Sequence, residues 1–294
     1  MLDWYERSGR GALPWRRRRD PYLTLVSEFM LQQTQVERVI PPFERFVAAW
    51  PTLGALAAAS RADVVRAWRG LGYNARAVRL HALAQAVCAH GGAELPREEA
   101  ALRALPGIGP YTARAIRAFA FDCDEAAVDT NVRRVVHRLH FGLEWPPLAG
   151  ARELERTAQA AVAPGRGHDW NGAMMDLGAT ICTARAPQCP ACPLRERCAA
   201  APVDGAALAE RARRHAPPHT SGERVPFERT RRYARGRVVD RLRMLGAGEG
   251  ISLLALGRDM PELAGRTPGE LRSIIDDLAR DGLVVRSDED VRLA

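Results

Sequence analysis

Apolar residues recur at three- and four-residue spacing along almost the whole stretch from residue 1 to about 200. This spacing is that of an amphipathic helix, and no alternating strand pattern of any length interrupts it. The connections between the periodic segments are short and are marked by PP, GG, PGIGP and APGRG. The pattern therefore predicts an all-α fold in segments such as VSEFMLQQTQVERVI, ARAVRLHALAQAVCAH, YTARAIRAFAF, NVRRVVHRLH and NGAMMDLGATIC.

The composition changes after residue 200. Residues 201–240 are rich in Ala, Pro and Arg, which indicates a basic linker that runs into a helix. Residues 241–294 contain two helical patterns and then two short apolar runs around an acidic turn. A small winged-helix module has this pattern, and so do many other small α+β folds. Since 294 residues exceed the size of a typical domain of ~100–150 residues, we expect more than one domain.

The net charge is +8, and all 43 basic residues are arginine. A basic balance of this size favours a polyanionic partner, nucleic acid first and an anionic membrane second. The use of Arg alone also fits a GC-rich genome. In either case, the absence of lysine excludes a mechanism that needs a lysine amine.

No stretch approaches the ~20 apolar residues that a membrane-spanning helix needs. The first residues, MLDWYERSGRG, lack the features of a secretory signal. We expect a soluble, cytoplasmic protein that does not enter a membrane.

Four of the six cysteines lie in one short segment with the spacing C-x6-C-x2-C-x5-C. A cluster of this kind favours thiolate ligation of a metal over a framework of disulfides. Zinc sites usually show two CxxC pairs, whereas this segment has one, and four thiolates also hold a [4Fe–4S] cluster. The spacing alone leaves zinc and iron–sulfur equally open.

The segment LPGIGPYTARAI (105–116) places Pro106, Gly107 and Gly109 between two helical patterns. Glycines at such a turn let backbone N–H groups and the next helix N-terminus approach a phosphate closely. The segment is a moderately specific signal of a helix-hairpin-helix DNA-binding element. An ordinary turn between two helices is the alternative.

Two carboxylates stand in contexts that suit acid–base chemistry. Glu28 is flanked by apolar residues, and burial would raise the pKa of its carboxyl so that it could donate a proton near neutral pH. Asp129 precedes a clear helix, where it could serve as an N-cap or as an ionised carboxylate facing a positive charge. For Glu28 the alternative is a side chain that reaches water.

The motifs occur together in an order that resembles the MutY family of adenine DNA glycosylases, within the helix-hairpin-helix superfamily that includes endonuclease III. The resemblance covers roughly residues 1–200. Its motifs are LPWR (13–16), DPY (20–22), SEFMLQQTQV (27–36), GLGYNAR (70–76), LPGIGPYTA (105–113), VDTNVRRV (128–135), MDLGATICT (175–183) and the cysteine spacing.

The resemblance implies a catalytic set. Glu28 would be the general acid that protonates the adenine ring, and Asp129 the carboxylate that stabilises the oxocarbenium-like sugar, supported by Asn131. Tyr111 occupies the place where lyase-competent relatives have a Schiff-base lysine. Such an enzyme would therefore cut the glycosidic bond without breaking the DNA backbone.

The resemblance also implies the cofactor and the DNA contacts. Gln33 and Tyr73 match residues that wedge into the duplex, since a base must leave the stack before chemistry. The hairpin would hold the backbone through Gly107 and Gly109. A [4Fe–4S] cluster would order a loop with DNA-facing arginines, the ligands and arginines being Cys182, Cys189, Cys192 and Cys198, and Arg185, Arg195 and Arg197.

The implied architecture has two helical lobes, one of residues 21–124 and one of residues 1–20 with 125–200. The expected function is base excision repair by a monomer that removes adenine mispaired with 8-oxoguanine or guanine in double-stranded DNA. Two departures put the discrimination of 8-oxoguanine in question. Residues 201–294 do not match the family's Nudix-like domain, and Asn74 stands where many relatives have a second tyrosine.

Two alternative functions remain. Glycosylases of the same superfamily that act on thymine or uracil mismatches share the hairpin, the aspartate and a tyrosine at the position of Tyr111. A non-enzymatic iron–sulfur regulator that binds DNA is the other alternative, although it has no need for Glu28 and Asp129.

Overall fold

A computed structural model describes residues 1–89, 91–144, 147–215, 225–263, 265–287 and 290–294. In these residues the fold is mainly helical, as predicted, with one small sheet near the C-terminus. None of the helices within the described ranges is both long and apolar enough to cross a bilayer.

The first eight helices follow one another with short connections. They are α1 (Leu2–Ser8), α2 (Pro21–Leu31), α3 (Val36–Ala49), α4 (Leu53–Ala58), α5 (Arg61–Ala67), α6 (Ala75–Ala89), α7 (Glu99–Arg103) and α8 (Pro110–Phe121).

The remaining elements include all of the strands. They are α9 (Thr130–His140), α10 (Ala151–Ala160), α11 (Gly167–Thr180), α12 (Gly205–Arg214), α13 (Arg231–Arg243), β1 (Ile251–Ser252), α14 (Leu253–Asp259), α15 (Pro268–Arg280), β2 (Val284–Arg286) and β3 (Asp290–Leu293).

Local capping explains where several helices begin. The side chains of Thr52, Ser60, Asp129 and Thr230 each accept a hydrogen bond from a backbone N–H of the first turn. Such a cap satisfies one of the donors that a helix N-terminus leaves unpaired and contributes about 1 kcal/mol.

The segment VSEFMLQQTQVERVI is predicted to be helical, with apolar residues in helical phase on either side of the polar run QQTQ, yet the structure breaks it into two helices. Helix α2 ends at Leu31 and α3 begins at Val36. Gln33, inside the break, adopts a left-handed conformation with φ of 56°, which no continuous helix can accommodate. Hydrophobic spacing alone does not reveal this break because the apolar residues keep their period across it.

The chain forms two compact units. The first consists of Met1–Leu25, Pro96–Ala104 and Ile108–Ser221, and the second of Val26–Leu95, Leu105–Gly107 and Gly222–Ala294. The C-terminal residues thus belong to the same unit as helices α3 to α6.

The core of the first unit lies between α9, α10 and α11, and the N-terminal residues pack against it. Asp176 of α11 ties the N-terminal segment to this core. Its carboxylate accepts hydrogen bonds from the backbone N–H and Nε of Arg10 and from Nη1 of Arg16, all at 2.8 Å. Burial alone would raise the pKa of Asp176, but the charges of Arg16 and Arg10 lower it below its usual value.

In the second unit, the C-terminal residues form a module around a three-stranded antiparallel sheet with the order β1-β3-β2. Arg231 and Arg235 of α13 form ion pairs with Asp277 and Asp281 at the end of α15. The succession helix, strand, two helices and hairpin is that of a winged-helix module. The boundary expected at residue 240 falls within α13, so the helix belongs wholly to the module.

Candidate functional site

Asp129 is the N-cap of α9 and lies in the first unit. Its Oδ1 accepts a hydrogen bond of 2.7 Å from the backbone N–H of Val132, and its Oδ2 accepts one of 3.0 Å from Nδ2 of Asn131. The structural role that the sequence allows is therefore present. The two bonds also hold both carboxylate oxygens in one orientation, as a catalytic carboxylate requires.

Burial raises the pKa of Asp129 above its usual value, and the hydrogen bonds from Val132 and Asn131 partly offset this effect. Since both bonds are made to the ionised form, they favour the charged carboxylate. A half-buried carboxylate interacts more strongly with a positive charge that develops nearby than a fully exposed one does. The group is suited to stabilising a cationic sugar.

Asn131 links the aspartate to the cysteine segment. Its Oδ1 accepts a 3.0 Å hydrogen bond from Nη2 of Arg134, and Nε of the same arginine donates to the carbonyl of Cys182 at 2.7 Å. A side chain at Gly178 would place its Cβ 2.7 Å from Cβ of Asn131. Only glycine at position 178 lets α11 approach α9 this closely.

A second buried arginine supports the start of the cysteine segment. Nη1 of Arg138 donates to the carbonyl of Thr183 at 2.8 Å and contacts Sγ of Cys182 at 3.5 Å, while its other nitrogens bind Glu144. Its side chain is 1% exposed. The guanidinium thus brings positive charge directly to one predicted ligand.

The four cysteines of the segment are free thiols in the first unit, each half-buried. Burial raises the pKa of the Cys192 thiol, and the charges of Cys182, Cys198 and Cys189 raise it further, so Cys192 lies within electrostatic reach of the other three. The backbone N–H of Val203 donates to Sγ of Cys189 at 3.4 Å.

Among the described residues, no three or more His, Cys, Asp or Glu side chains are arranged so that they could already hold a metal ion. The chemistry of the donor set nevertheless fits an iron–sulfur cluster: four thiols, a backbone N–H donor at one sulfur and a buried guanidinium at another. The same donor set is compatible with zinc on chemistry alone.

Glu28 lies in α2 and belongs to the second unit. Its exposure is only 9%, and Val26, Phe29 and Met30 beside it in the chain are fully buried. The side chain is therefore largely shielded from water. Its role as a proton donor stays a prediction.

Gln33 and Tyr73, the predicted wedge residues, share an uncommon backbone conformation. Their φ angles are 56° and 45°, and among the described non-glycine residues only Asp122, a helix C-cap, is also left-handed. This conformation costs about 1–2 kcal/mol for a residue with a side chain. Strain of this kind persists where the surroundings impose it, often at functional sites.

Arg76 binds the backbone around both loops that contain the predicted wedge residues. These loops, residues 32–35 and 68–74, are called the wedge loops. Its Nη1 donates to the carbonyls of Phe29, Met30 and Gln32 at 2.8, 2.8 and 2.6 Å, next to Gln33. On the side of the other loop, Nη2 donates to the carbonyls of Leu71 and Gly72, each at 3.0 Å, next to Tyr73.

The guanidinium of Arg76 also contacts the rings of Trp68 and Tyr73, with its Cζ 5.5 and 5.6 Å from the ring centroids. Burial lowers the pKa of Arg76 to about 10, so the side chain stays charged at neutral pH. This single buried guanidinium thereby holds the backbone of both loops that contain a left-handed residue, Gln33 in one and Tyr73 in the other.

The turn that contains the hairpin motif uses its two glycines differently. Gly107 has φ of 81°, and a Cβ there would lie 3.0 Å from the Phe29 ring. Gly109, the N-cap of α8, has an extended conformation, and a Cβ there would meet nothing within 4 Å. Gly107 is required by the fold, whereas the open surface at Gly109 leaves room for a ligand.

Tyr111 lies in the first turn of α8, directly after this turn. Arg185, Arg195 and Arg197 are all exposed in the cysteine segment. None of the three side chains forms a hydrogen bond or an ion pair within the described part of the chain. Their charges are thus available to an anionic partner.

Sequence reasoning missed Arg76 and Arg134 as residues that organise the site. A signal for Arg76 existed, because it occupies the apolar stripe of α6 one turn before Leu80. An arginine on an apolar stripe must find several acceptors or be expelled. Arg134 gave no comparable signal in a helix already rich in arginine.

The chain is similar to several known proteins. The family model described as "HhH-GPD superfamily base excision DNA repair protein" matches residues 26–185. An adenine DNA glycosylase of Mycolicibacterium smegmatis is 42% identical over 245 residues, which cover 83% of this chain and 79% of the relative. One of Mycobacterium tuberculosis is 43% identical over 83% of this chain and 77% of its own length.

Two solved structures are also similar. A thermostable thymine-DNA glycosylase has a TM-score of 0.61 and 31% identity over 67% of this chain and 91% of its own. Endonuclease III, trapped as a covalent intermediate with DNA, has a TM-score of 0.56 and 27% identity over 67% of this chain and 92% of its own. Together with the hairpin, the capped aspartate and the four-cysteine segment, these likenesses show that the chain belongs to the HhH-GPD superfamily of base excision DNA repair proteins.

Proposed function

We propose that the chain is a monofunctional adenine DNA glycosylase that removes adenine paired with 8-oxoguanine or guanine in double-stranded DNA. The observation that carries the proposal is Asp129, a half-buried residue whose two carboxylate oxygens are held by Val132 and Asn131. The family and the names of the similar glycosylases support the substrate. The protein would act in the cytoplasm as a monomer.

Glu28 would act as the general acid. A buried, protonated carboxyl can donate a proton to the adenine ring and make the base a better leaving group, a contribution of about 10²–10⁴ in rate. As the glycosidic bond breaks, positive charge develops on the sugar. Asp129 would stabilise that charge, with Asn131 keeping the carboxylate in place.

The absence of lysine in this sequence, together with Tyr111 at the start of α8, supports hydrolysis without strand cleavage. A phenol does not form the Schiff base on which a lyase step depends. The product would be an abasic site in an intact strand.

Gln33 and Tyr73 would enter the duplex when the adenine leaves the stack. Extrusion costs a few kcal/mol for unpairing and unstacking. A preformed wedge lowers the entropic cost of insertion because Arg76 already fixes both loops.

Cys182, Cys189, Cys192 and Cys198 would hold a [4Fe–4S] cluster. When bound, the cluster would supply four fixed iron–thiolate bonds that order the segment. The segment's own exposed arginines, Arg185, Arg195 and Arg197, would then bind phosphates, as Gly109 would through the start of α8.

A second candidate is a thymine or uracil mismatch glycosylase. It is favoured by the likeness to the thermostable thymine-DNA glycosylase, at 31% identity and a TM-score of 0.61. The two candidates share the aspartate and differ in the base that leaves.

The test is a panel of labelled duplexes with A:8-oxoguanine, A:G, T:G or U:G, treated with alkali after incubation with the purified protein. We expect strand breaks at adenine in the first two duplexes and no break without alkali. Breaks confined to T:G or U:G would establish the second candidate, and no break in any duplex would reject both.

A further inference from the structure

Helix α13 of the C-terminal module contacts the loop that carries Tyr73. Near its end, Arg243 donates from Nη2 to Oδ1 of Asn74 at 2.9 Å and from Nε to the carbonyl of Val65 at 3.0 Å. Its Nη1 binds Asp240 of the same helix at 2.7 Å. With a side chain only 4% exposed, Arg243 is held at three points.

The first turn of α13 reaches the same loop. The guanidinium carbon of Arg232 lies 4.0 Å from the ring centroid of Tyr73, on a side chain that forms no hydrogen bond or ion pair within the described ranges. Arg232 and Arg243 are about three helical turns apart and hence on one face of the helix. This face also lines an open cavity of about 590 Å³ to which Gln33 and Tyr73 contribute.

Tyr73 needs support on more than one side. Its left-handed backbone is unfavourable for a residue with a side chain, and Arg76 binds the carbonyls of Leu71 and Gly72 before it and, from Nε at 3.4 Å, the carbonyl of Tyr73 itself. The residue after it is Asn74, and the acceptor of Asn74 is taken by Arg243. Arg76 therefore holds the backbone up to Tyr73, and Arg243 holds the side chain of the residue that follows it.

We propose that Arg243 is a positioning residue for Tyr73, and that the C-terminal module acts as a support for the wedge loop through the Arg243–Asn74 hydrogen bond. The inference rests on the proposed function, in which Tyr73 enters the duplex. The proposal also gives a role to Asn74, which stands where many relatives have a second tyrosine. Its amide oxygen accepts the hydrogen bond through which the module binds the loop. The module then promotes extrusion of the target base whatever base lies opposite.

This support makes a prediction that differs from that of a base-reading module. Loss of the support should slow adenine excision equally for A:8-oxoguanine and A:G, because the wedge acts before either opposite base is distinguished. Loss of a reader would change the ratio of the two rates. The ratio is therefore the decisive quantity.

The experiment uses the full chain with Arg243→Met, Asn74→Ala and the double variant, and with Arg241→Met as the matched control. Arg241 lies on the same helix and carries the same charge, but its side chain forms no hydrogen bond within the described residues. We expect about 10-fold slower single-turnover excision for each single variant, on both duplexes and to the same extent. The double variant should be no slower than Arg243→Met alone, because that change already removes the Arg243–Asn74 hydrogen bond.

Two further readouts separate positioning from general loss of structure. The fluorescence of 2-aminopurine beside the target adenine should rise more slowly on mixing, while the dissociation constant for the duplex changes less than threefold. In the free protein, amide hydrogen exchange of residues 70–76 should speed up in Asn74→Ala and not in Arg241→Met.

Unchanged rates and unchanged exchange in Asn74→Ala would overturn the proposal, as would a loss confined to A:8-oxoguanine or additive effects in the double variant. The exchange measurement does not depend on activity. If the wild-type protein proved inactive on every adenine mispair while Asn74→Ala still loosened residues 70–76, the proposed function would fail and the structural support would stand.

Discussion

Nδ2 of Asn131 donates a 3.0 Å hydrogen bond to Oδ2 of Asp129. Because Oδ1 of the same amide accepts from Arg134, the amide cannot flip without exchanging a donor for an acceptor at both ends. Arg134 in turn binds the carbonyl of Cys182. The orientation of the candidate catalytic carboxylate is thus coupled by hydrogen bonds to the first cysteine of the predicted cluster segment.

Arg134→Met tests this coupling. The change leaves Asn131 free to rotate and the carbonyls of Gly178 and Cys182 without their donor, so we expect excision to slow about 10–100-fold and the protein to lose about 2–3 kcal/mol of unfolding free energy. Single-turnover kinetics and denaturant unfolding measure the two effects. Arg133, the exposed neighbour, provides the control. Arg133→Met should change the excision rate by no more than about twofold and the free energy of unfolding by no more than about 0.5 kcal/mol.

The pH dependence of excision should reflect Asp129. Its pKa is raised above the usual value of 3.8, and only the ionised form stabilises a cationic sugar, so the rate should fall as the pH drops through this raised value. The hydrogen bond from Asn131 favours the ionised form and lowers the pKa. Asn131→Ala should therefore move the acid limb to higher pH.

A pH–rate profile of the wild type and of Asn131→Ala, taken under single-turnover conditions, checks this prediction. An acid limb that stays in place in the variant, or moves to lower pH, would contradict the assignment. The free energy of unfolding depends on pH in the opposite direction. Because folding raises the pKa of the Asp129 carboxyl, its ionisation destabilises the folded state as the pH rises through the pKa of the folded protein.

Arg76→Met should damage the two wedge loops together. The substitution leaves the carbonyls of Phe29, Met30, Gln32, Leu71 and Gly72 without their shared donor, at a cost of about 3–5 kcal/mol in unfolding free energy. Excision should slow because Gln33 and Tyr73 lose their fixed geometry. Urea unfolding measures this loss, and Arg45→Met, at an exposed arginine of α3, is the control. A loss below about 1 kcal/mol for Arg76→Met would show that the loops keep their conformation without the guanidinium.

The two hairpin glycines should respond differently to alanine. Gly107→Ala forces a side chain into a left-handed residue with Phe29 only 3.0 Å away, so we expect a loss of about 1–3 kcal/mol in stability. Gly109→Ala should leave the stability unchanged and weaken duplex binding severalfold, because the new methyl group occupies the open approach to the start of α8. Thermal unfolding and fluorescence anisotropy distinguish the two variants, and equal binding by Gly109→Ala and wild type would remove the glycine from the DNA contact.

The sequence predicts much of this molecule for physical reasons that can be traced to particular residues. Periodic apolar spacing determines most helices, and the cap at Asp129 follows from its position directly before a clear helix. These features depend on residues that are close together in the sequence, and a sequence pattern contains information of that kind.

Features that depend on distant residues escape such patterns. The break around Gln33 depends on carbonyl contacts with Arg76, which is 43 positions further along the chain, and the role of Asn74 depends on Arg243 at a separation of 169. The extent of α13 across residue 240 likewise depends on its packing against the module. The resemblance to a family supplied the roles of Gln33 and Tyr73, which their residue types alone do not indicate.

The central claim is that Asp129, together with Glu28, breaks the bond between adenine and its sugar. Its most direct test is the single-turnover rate of adenine loss from an A:8-oxoguanine duplex with the wild type, Asp129→Asn and Asp204→Asn, the last being a second aspartate N-cap in the same unit. We predict that Asp129→Asn binds the duplex as tightly as the wild type but releases adenine about 10²–10³-fold more slowly, while Asp204→Asn keeps the wild-type rate. Release by Asp129→Asn within about twofold of the wild-type rate would show that the capped carboxylate is structural and that another group carries the chemistry.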